Sequence, residues 1–147
     1  LLTCVHIYTF FTDGSIHVKV HVNPSACISA IPSLPRVGLS FALDSTFYRI
    51  NYFGRGPHEN YVDRKAGAQL GSWSSSPSHL GFDYIVPSEN GNRSDCKWVC
   101  FQSDDAGFIV STDLDCEHFS FSALLHSASE LHRASHTNDL EQRLDGK

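Results

Sequence analysis

Residues 13–22 read DGSIHVKVHV. Asp13-Gly14 is a hairpin turn signal. After it, apolar and polar residues alternate strictly: Ile16, Val18, Val20 and Val22 on one side, Ser15, His17, Lys19 and His21 on the other. Period two is the mark of a half-buried antiparallel strand, because successive side chains leave a pleated backbone on opposite faces. The turn then predicts that residues 5–11 pair back onto 16–22. The same pattern recurs downstream. RVGLSFAL (36–43) sets Val37, Leu39, Phe41 and Leu43 on one face; FYRINYF (47–53) makes another strand, and GAQLGSW (67–73) a short one. YIVP (84–87) reads as a buried strand end closed by Pro87, and SENGNRSD (88–95) as a polar loop. KWVCFQ and FIVST flank a second hairpin turn, DDAG (104–107), and FSFSAL alternates once more. Only 127–136 looks helical, opened by a Ser127-to-Glu130 capping box. Regularly spaced strands with turns between them, and no visible repeat, predict an all-β antiparallel sandwich with one short helix.

The bulk numbers agree with one domain that has a real core. The chain has 147 residues, 41% apolar, 12% aromatic and 18% charged. A formal charge of −5 argues against nucleic acid or an anionic membrane as partner. No apolar run approaches the roughly 18 residues of a membrane span. The first residues carry no basic start and are interrupted by His6, Thr9 and Thr12, so they do not read as a signal peptide. The sequence lacks Met and opens inside a strand, which is expected of a piece of a longer protein. Cys4, Cys27, Cys96, Cys100 and Cys116 contain no C-x-x-C pair. They read as buried free thiols of a reducing, cytoplasmic compartment, with Cys96 and Cys100 on one strand face. Asn92-Arg93-Ser94 is a glycosylation sequon and points the other way.

Candidate chemistry concentrates in GRGPHENYVDRKAG (54–67), which holds little that a core would take. Other candidates are thinner. His132 and His136 are four apart on the expected helix, yet two ligands do not make a metal site and no third is evident. Asp104-Asp105 falls in a turn that favours Asp for local hydrogen bonding. No nucleophile elbow, phosphate loop or dinucleotide fingerprint is present. Two readings of the polar loops stay open. In one, His58, Glu59, Asn60, Tyr61, Arg64, Glu89 and Arg93 face a sugar, whose hydroxyls such side chains recognise, with Tyr61 and Trp73 as stacking surfaces. In the other, which is preferred, they form an internal network: Asn60 and Asp63 tie down the loop, and Arg64 pairs bidentately with a carboxylate.

These residues resemble one family closely. Pro35, Arg36, Val37 and Gly38 are followed by Gly54, Gly56, Pro57, Glu59, Tyr61, Asp63 and Arg64, then by Tyr84, Val86, Pro87, Glu89, Gly91 and Arg93. The series resembles the C-terminal, small-chain β-sandwich domain of the glycoside hydrolase family 2 β-galactosidases, in forms closest to plant-type or other eukaryotic members. Val62 replaces a common proline and Tyr52 a common tryptophan, and 74–83 is degenerate. The resemblance implies that 1–147 is part of a galactose-mutarotase-like supersandwich, with the catalytic barrel and the C-terminal remainder outside this sequence. It implies hydrolysis of terminal β-D-galactosides with retention by the full enzyme, possession of Mg²⁺ and Na⁺ sites there, partnership with the remaining domains, and an inactive isolated chain. It places no catalytic residue and no metal ligand in this sequence. Gly54, Gly56, Pro57, Asp63 and Pro87 are expected as structural signature positions. The alternatives are a standalone carbohydrate-binding or mutarotase-like module, with His58 and Glu59 as acid and base, or a remnant without function.

Overall fold

The computed structural model describes residues 2–24, 34, 36–113 and 116–140. It comprises two compact units, Leu1–Phe41 and Ala42–Lys147. Cys27, Pro35 and the charged tail 141–147 lie outside the described residues.

The first unit is built on an antiparallel hairpin of β1 (Leu2–Phe10) and β2 (Ile16–Pro24). Its register sets Phe10 opposite Ile16, Tyr8 opposite Val18 and Val5 opposite His21, the pairing expected from Asp13-Gly14. The turn closes because the Asp13 carboxylate accepts from the Ser15 N–H at 2.9 Å and hydroxyl at 2.7 Å. Gly14 takes a φ of +85°, which a side chain would resist. β1 is exposed along its whole length, and in β2 only His17, Val18, Val20 and Val22 are half-buried. Segment 36–43 forms no strand, contrary to its alternation: Val37, Leu39, Phe41 and Leu43 are all exposed. A periodic segment becomes a strand only when another strand takes its ladder of N–H and C=O groups.

The second unit holds the core. A four-stranded antiparallel sheet runs in the order β4-β3-β6-β7, from β3 (Arg49–Gly56), β4 (Gln69–Ser75), β6 (Trp98–Gln102) and β7 (Gly107–Ser111). A second sheet pairs β5 (Arg93–Cys96) with β8 (Phe119–Phe121). Ile50 and Tyr52 of β3 and Val99 and Phe101 of β6 point inward, where they meet Cys96 and the Phe119 and Phe121 rings. Tyr52 meets Phe121 edge-on at 5.2 Å, and Phe101 stacks on Phe108 at 5.3 Å. This is the expected all-β sandwich, and the 104–107 hairpin lies where its turn residues put it.

Several local expectations are corrected. YIVP is not a strand: Ile85 is 84% exposed and Val86 62%, and only Pro87 is buried. The stretch read as a polar loop contains β5 instead. Cys96 ends β5 in one sheet while Cys100 belongs to β6 in the other, so they do not share a face. Of the described cysteines only Cys96 is fully buried, Cys4 and Cys116 being exposed, and none of the four is in a disulfide. The predicted helix is shorter and has company: α1 spans Pro77–Leu80, and α2 is limited to Ala128–Arg133. Its capping box forms as expected, with Glu130 N–H donating to Ser127 Oγ at 3.2 Å and Ser127 N–H to the Glu130 carboxylate at 2.6 Å. His136 lies beyond α2, so the i, i+4 histidine pair is not on one helix. Among the described residues no helix is long and apolar enough to cross a membrane.

Candidate functional site

The signature loop leaves the end of β3, passes a cis Gly56–Pro57 bond, and is pinned against the segment that leads into β5. Asn60 is the pin. It is 0% exposed. Its side-chain NH₂ donates to the carbonyls of Arg55 and His58, both at 3.0 Å, and its Oδ1 accepts from Ser94 N–H at 3.0 Å. Its backbone N–H donates to the Asn92 carbonyl at 2.8 Å, while its own carbonyl accepts from Asn92 Nδ2 at 2.6 Å and from Ser94 Oγ at 3.2 Å. One asparagine thus closes a turn and docks it on β5, which is how a buried amide avoids a desolvation cost.

Glu59 is the second pin, with a side chain only 11% exposed. It accepts from the Tyr84 hydroxyl, from the Gly91 N–H at 2.8 Å and from Arg64 Nη2 at 2.8 Å. The Arg64 contact is made through one nitrogen, not as the bidentate pair expected. Burial pushes the Glu59 carboxyl up, but the bonds from Tyr84, Gly91 and Arg64 outweigh it and hold the carboxyl below its ordinary value. Arg64 lies over the Tyr61 ring at 4.7 Å. Burial, followed by the nearby Glu89 and Glu59 charges, pushes the Tyr61 hydroxyl up to about 12.

Because the Glu59 value is depressed on folding, its stabilisation is fully present above the unfolded carboxylate value of about 4.3 and is lost as pH falls through the folded value. Asp95 behaves alike: Lys65 leads its depression at 2.8 Å, and Arg55 adds to it at 2.5 Å. Stability against urea is therefore expected to fall below about pH 4. Glu59→Gln should make that fall shallower while lowering stability at pH 7; an unchanged pH slope would count against the assignment.

Asp95 anchors a third contact set that the sequence did not advertise. At a φ of +54° it turns its carboxylate to Arg55 of β3 and Lys65 of the signature loop, with His118 at 3.6 Å. Arg93 is 2% exposed. Its guanidinium donates to Tyr52 Oη at 3.2 Å, to the Leu80 carbonyl at 3.3 Å and to the Gly91 carbonyl at 2.9 Å. Trp73 donates to the Gly54 carbonyl at 3.1 Å, which fixes its indole on β3. His58, Asp63 and Glu89 are exposed.

Of the seven residues expected to meet a sugar, the structure brings Glu59, Asn60, Tyr61 and Arg93 into one inward network, with Arg64 joined to it through Glu59 from an exposed position. It leaves His58 and Glu89 on the outside. Tyr84, Asn92, Ser94 and Asp95, which sequence reasoning did not assign to the site, complete the network; the polarity of 88–95 next to a proline-ended apolar run was the only hint. Beside the network lies a cavity of about 110 Å³, lined in part by Phe82, Tyr84, Pro87, Leu124 and His126. That is well below the roughly 300–1,000 Å³ of small-molecule sites. Among the described residues no three His, Cys, Asp or Glu side chains come together as a metal site.

Comparison with known proteins places this network in a family. A beta-galactosidase of Vibrio cholerae is 38% identical over 133 residues, which are 90% of this chain and 12% of that protein. One from Priestia megaterium is 34% identical over 111 residues, 75% of this chain and 10% of its own length. One from Streptococcus thermophilus is 32% identical over 150 residues, 96% and 14%. The chain thus spans a small part, 10–14%, of these curated relatives. Residues 2–147 match the family described as beta galactosidase small chain, and the chain belongs to that family.

Proposed function

We propose that the chain is a domain of a glycoside hydrolase family 2 enzyme that hydrolyses terminal β-D-galactosides, such as lactose, with retention. In this reading its own part is architectural: it packs on the catalytic barrel and supports the wall of the substrate pocket. The observation that carries the reading is the inward orientation of Glu59 and Arg93 within the family signature. Retaining hydrolysis needs two carboxylates about 5 Å apart, both turned toward one sugar. Here the Glu59 carboxylate is held by Tyr84, Gly91 and Arg64, and that of Asp95 by Lys65 and Arg55. Neither is presented to a ligand, so the nucleophile and the acid/base are assigned to other domains of the parent. The Mg²⁺ and Na⁺ sites that the family resemblance implies are assigned to those same domains. His58, Asp63, Arg64 and Glu89 are exposed on the two loops and are the candidates in this reading to meet a galactoside or the barrel. Exposed unpaired thiols at Cys4 and Cys116 suit a reducing, cytoplasmic setting.

The module reading is less favoured. Its acid/base pair would be His58 and Glu59, and the two part company: His58 is exposed while Glu59 turns into the network. The test is direct. The purified chain is expected to give no turnover of a chromogenic galactoside, and measurable turnover would overturn the reading. In the full-length parent, Glu59→Ala leaves the Tyr84 hydroxyl and the Gly91 N–H without their acceptor. It should lower stability by about 1–3 kcal/mol, while kcat per folded molecule stays within about twofold. A large fall in kcat at unchanged thermal stability would restore a catalytic role.

A further inference from the structure

The sequon Asn92-Arg93-Ser94 is the only one in the sequence, and as a modification signal it plays no part in the galactosidase reading. From sequence it belongs to an open polar loop. In the structure it is closed. Asn92 Nδ2, the nitrogen a glycan would occupy, donates to the Asn60 carbonyl at 2.6 Å and to Ser94 Oγ at 3.1 Å. The amide orientation is dictated by its neighbour: flipped, it would set its oxygen against the Asn60 carbonyl, acceptor against acceptor. Ser94 is buried, its N–H bound to Asn60 Oδ1 and its hydroxyl donating to the Asn60 carbonyl at 3.2 Å. Arg93 between them is buried under Tyr52 and the Leu80 carbonyl.

We infer that glycosylation of Asn92 and the native fold exclude each other, so that the triplet is a fold lock whose modification would hold the chain open. Transfer joins the anomeric carbon of an oligosaccharide to Nδ2. It breaks that carbon's bond to the diphosphate oxygen of a lipid carrier, and one amide proton leaves. Nδ2 then has one hydrogen for two acceptors. A single C–N bond of about 1.5 Å, laid along either hydrogen bond, brings the sugar carbon within roughly 2 Å of the Asn60 carbonyl or of Ser94 Oγ. That is far inside van der Waals contact. Rotating the side chain out to solvent instead strips the Asn60 carbonyl of its shortest donor and uncovers Ser94. A chain modified before folding cannot close the corner between the signature loop and β5, and a folded chain presents no acceptor. The triplet therefore acts as a compartment filter: the domain matures where no oligosaccharide transferase acts, or where folding is faster than transfer.

The test is cell-free translation of the full chain, carrying an added signal sequence, with glycosylation-competent microsomes. Asn92 occupancy is read by mass spectrometry in the protease-resistant and protease-sensitive fractions. A peptide spanning 88–96 serves as unfolded acceptor, and Asn60→Ala, which loses the three side-chain bonds of Asn60, as a chain whose corner opens more often. The peptide and Asn60→Ala are expected to be modified, with occupancy in the resistant wild-type fraction at least tenfold below that in the sensitive fraction. Equal occupancy in the two fractions would overturn the proposal. So would an unmodified peptide, which would show that the local sequence and not the fold protects Asn92.

Discussion

Asn60→Ala is expected to lower the stability of the chain by about 3–5 kcal/mol, read as a shift in the urea midpoint at constant m-value. The magnitude follows from what the side chain leaves behind. Its NH₂ is bound to two carbonyls, those of Arg55 and His58, and its oxygen to the Ser94 N–H. Truncation orphans all three in a place where Asn60 itself is 0% exposed and Ser94 is buried. Each unpartnered buried group costs about 1–3 kcal/mol, with partial relaxation keeping the sum below the simple total. Asn60→Asp should be at least as damaging despite its shape, because a carboxylate oxygen would then face two carbonyl oxygens. His58→Ala, two residues away, removes only an exposed ring and should stay within about 0.5 kcal/mol. If both loop variants cost the same small amount, the signature loop is not held by its asparagine, and the scaffold reading of the motif fails with it.

The contrast between Asn60 and its neighbours also explains what could be read without coordinates. Hydrophobic alternation and turn chemistry are local, so Asp13-Gly14, the 16–22 strand, the 104–107 turn and the Ser127 capping box were all legible. Burial driven by polar partners is not local. Arg93, Ser94 and Asp95 look like loop residues until their partners on β3 and the signature loop arrive from some 30–40 positions away. The reverse error has the same origin. Tyr84, Ile85 and Val86 look like a buried strand, but the segment is fixed by the Tyr84 hydroxyl on Glu59 and leaves Ile85 facing out. For the site, the residue list was largely legible and its direction was not. Asn, Glu, Arg and Tyr are equally good at binding a sugar and at binding one another, and composition cannot say which they do. Only the positions of backbone groups such as the Gly91 N–H and the Leu80 carbonyl decide it.

The signature glycines give the second large effect, and they bear on why the motif is recognisable at all. At Gly54 an added methyl would collide with Cys96 Sγ and lie 3.0 Å from the Cys96 Cα. The two strands meet there without room for a side chain, close enough for Lys97 N–H to reach the Phe53 carbonyl at 2.9 Å. Gly54→Ala is therefore expected to cost about 2–4 kcal/mol, since a packed core answers overfilling by moving backbone. The cause can be isolated with Cys96→Ala, which removes the sulfur and leaves a small void. The double variant should be more stable than the sum of the two single losses by about 1–2 kcal/mol, because the new methyl takes part of the space the sulfur vacates. Some loss should persist, as the Cys96 backbone still crowds the new methyl. Gly67→Ala, whose Cβ would meet nothing within 4 Å, should be close to neutral. Strict additivity of Gly54→Ala and Cys96→Ala would mean that the glycine answers to something other than this contact. The predicted coupling would instead tie the family's glycine to the closeness of two sheets, a requirement of the fold that carries no information about the chemistry of the sugar.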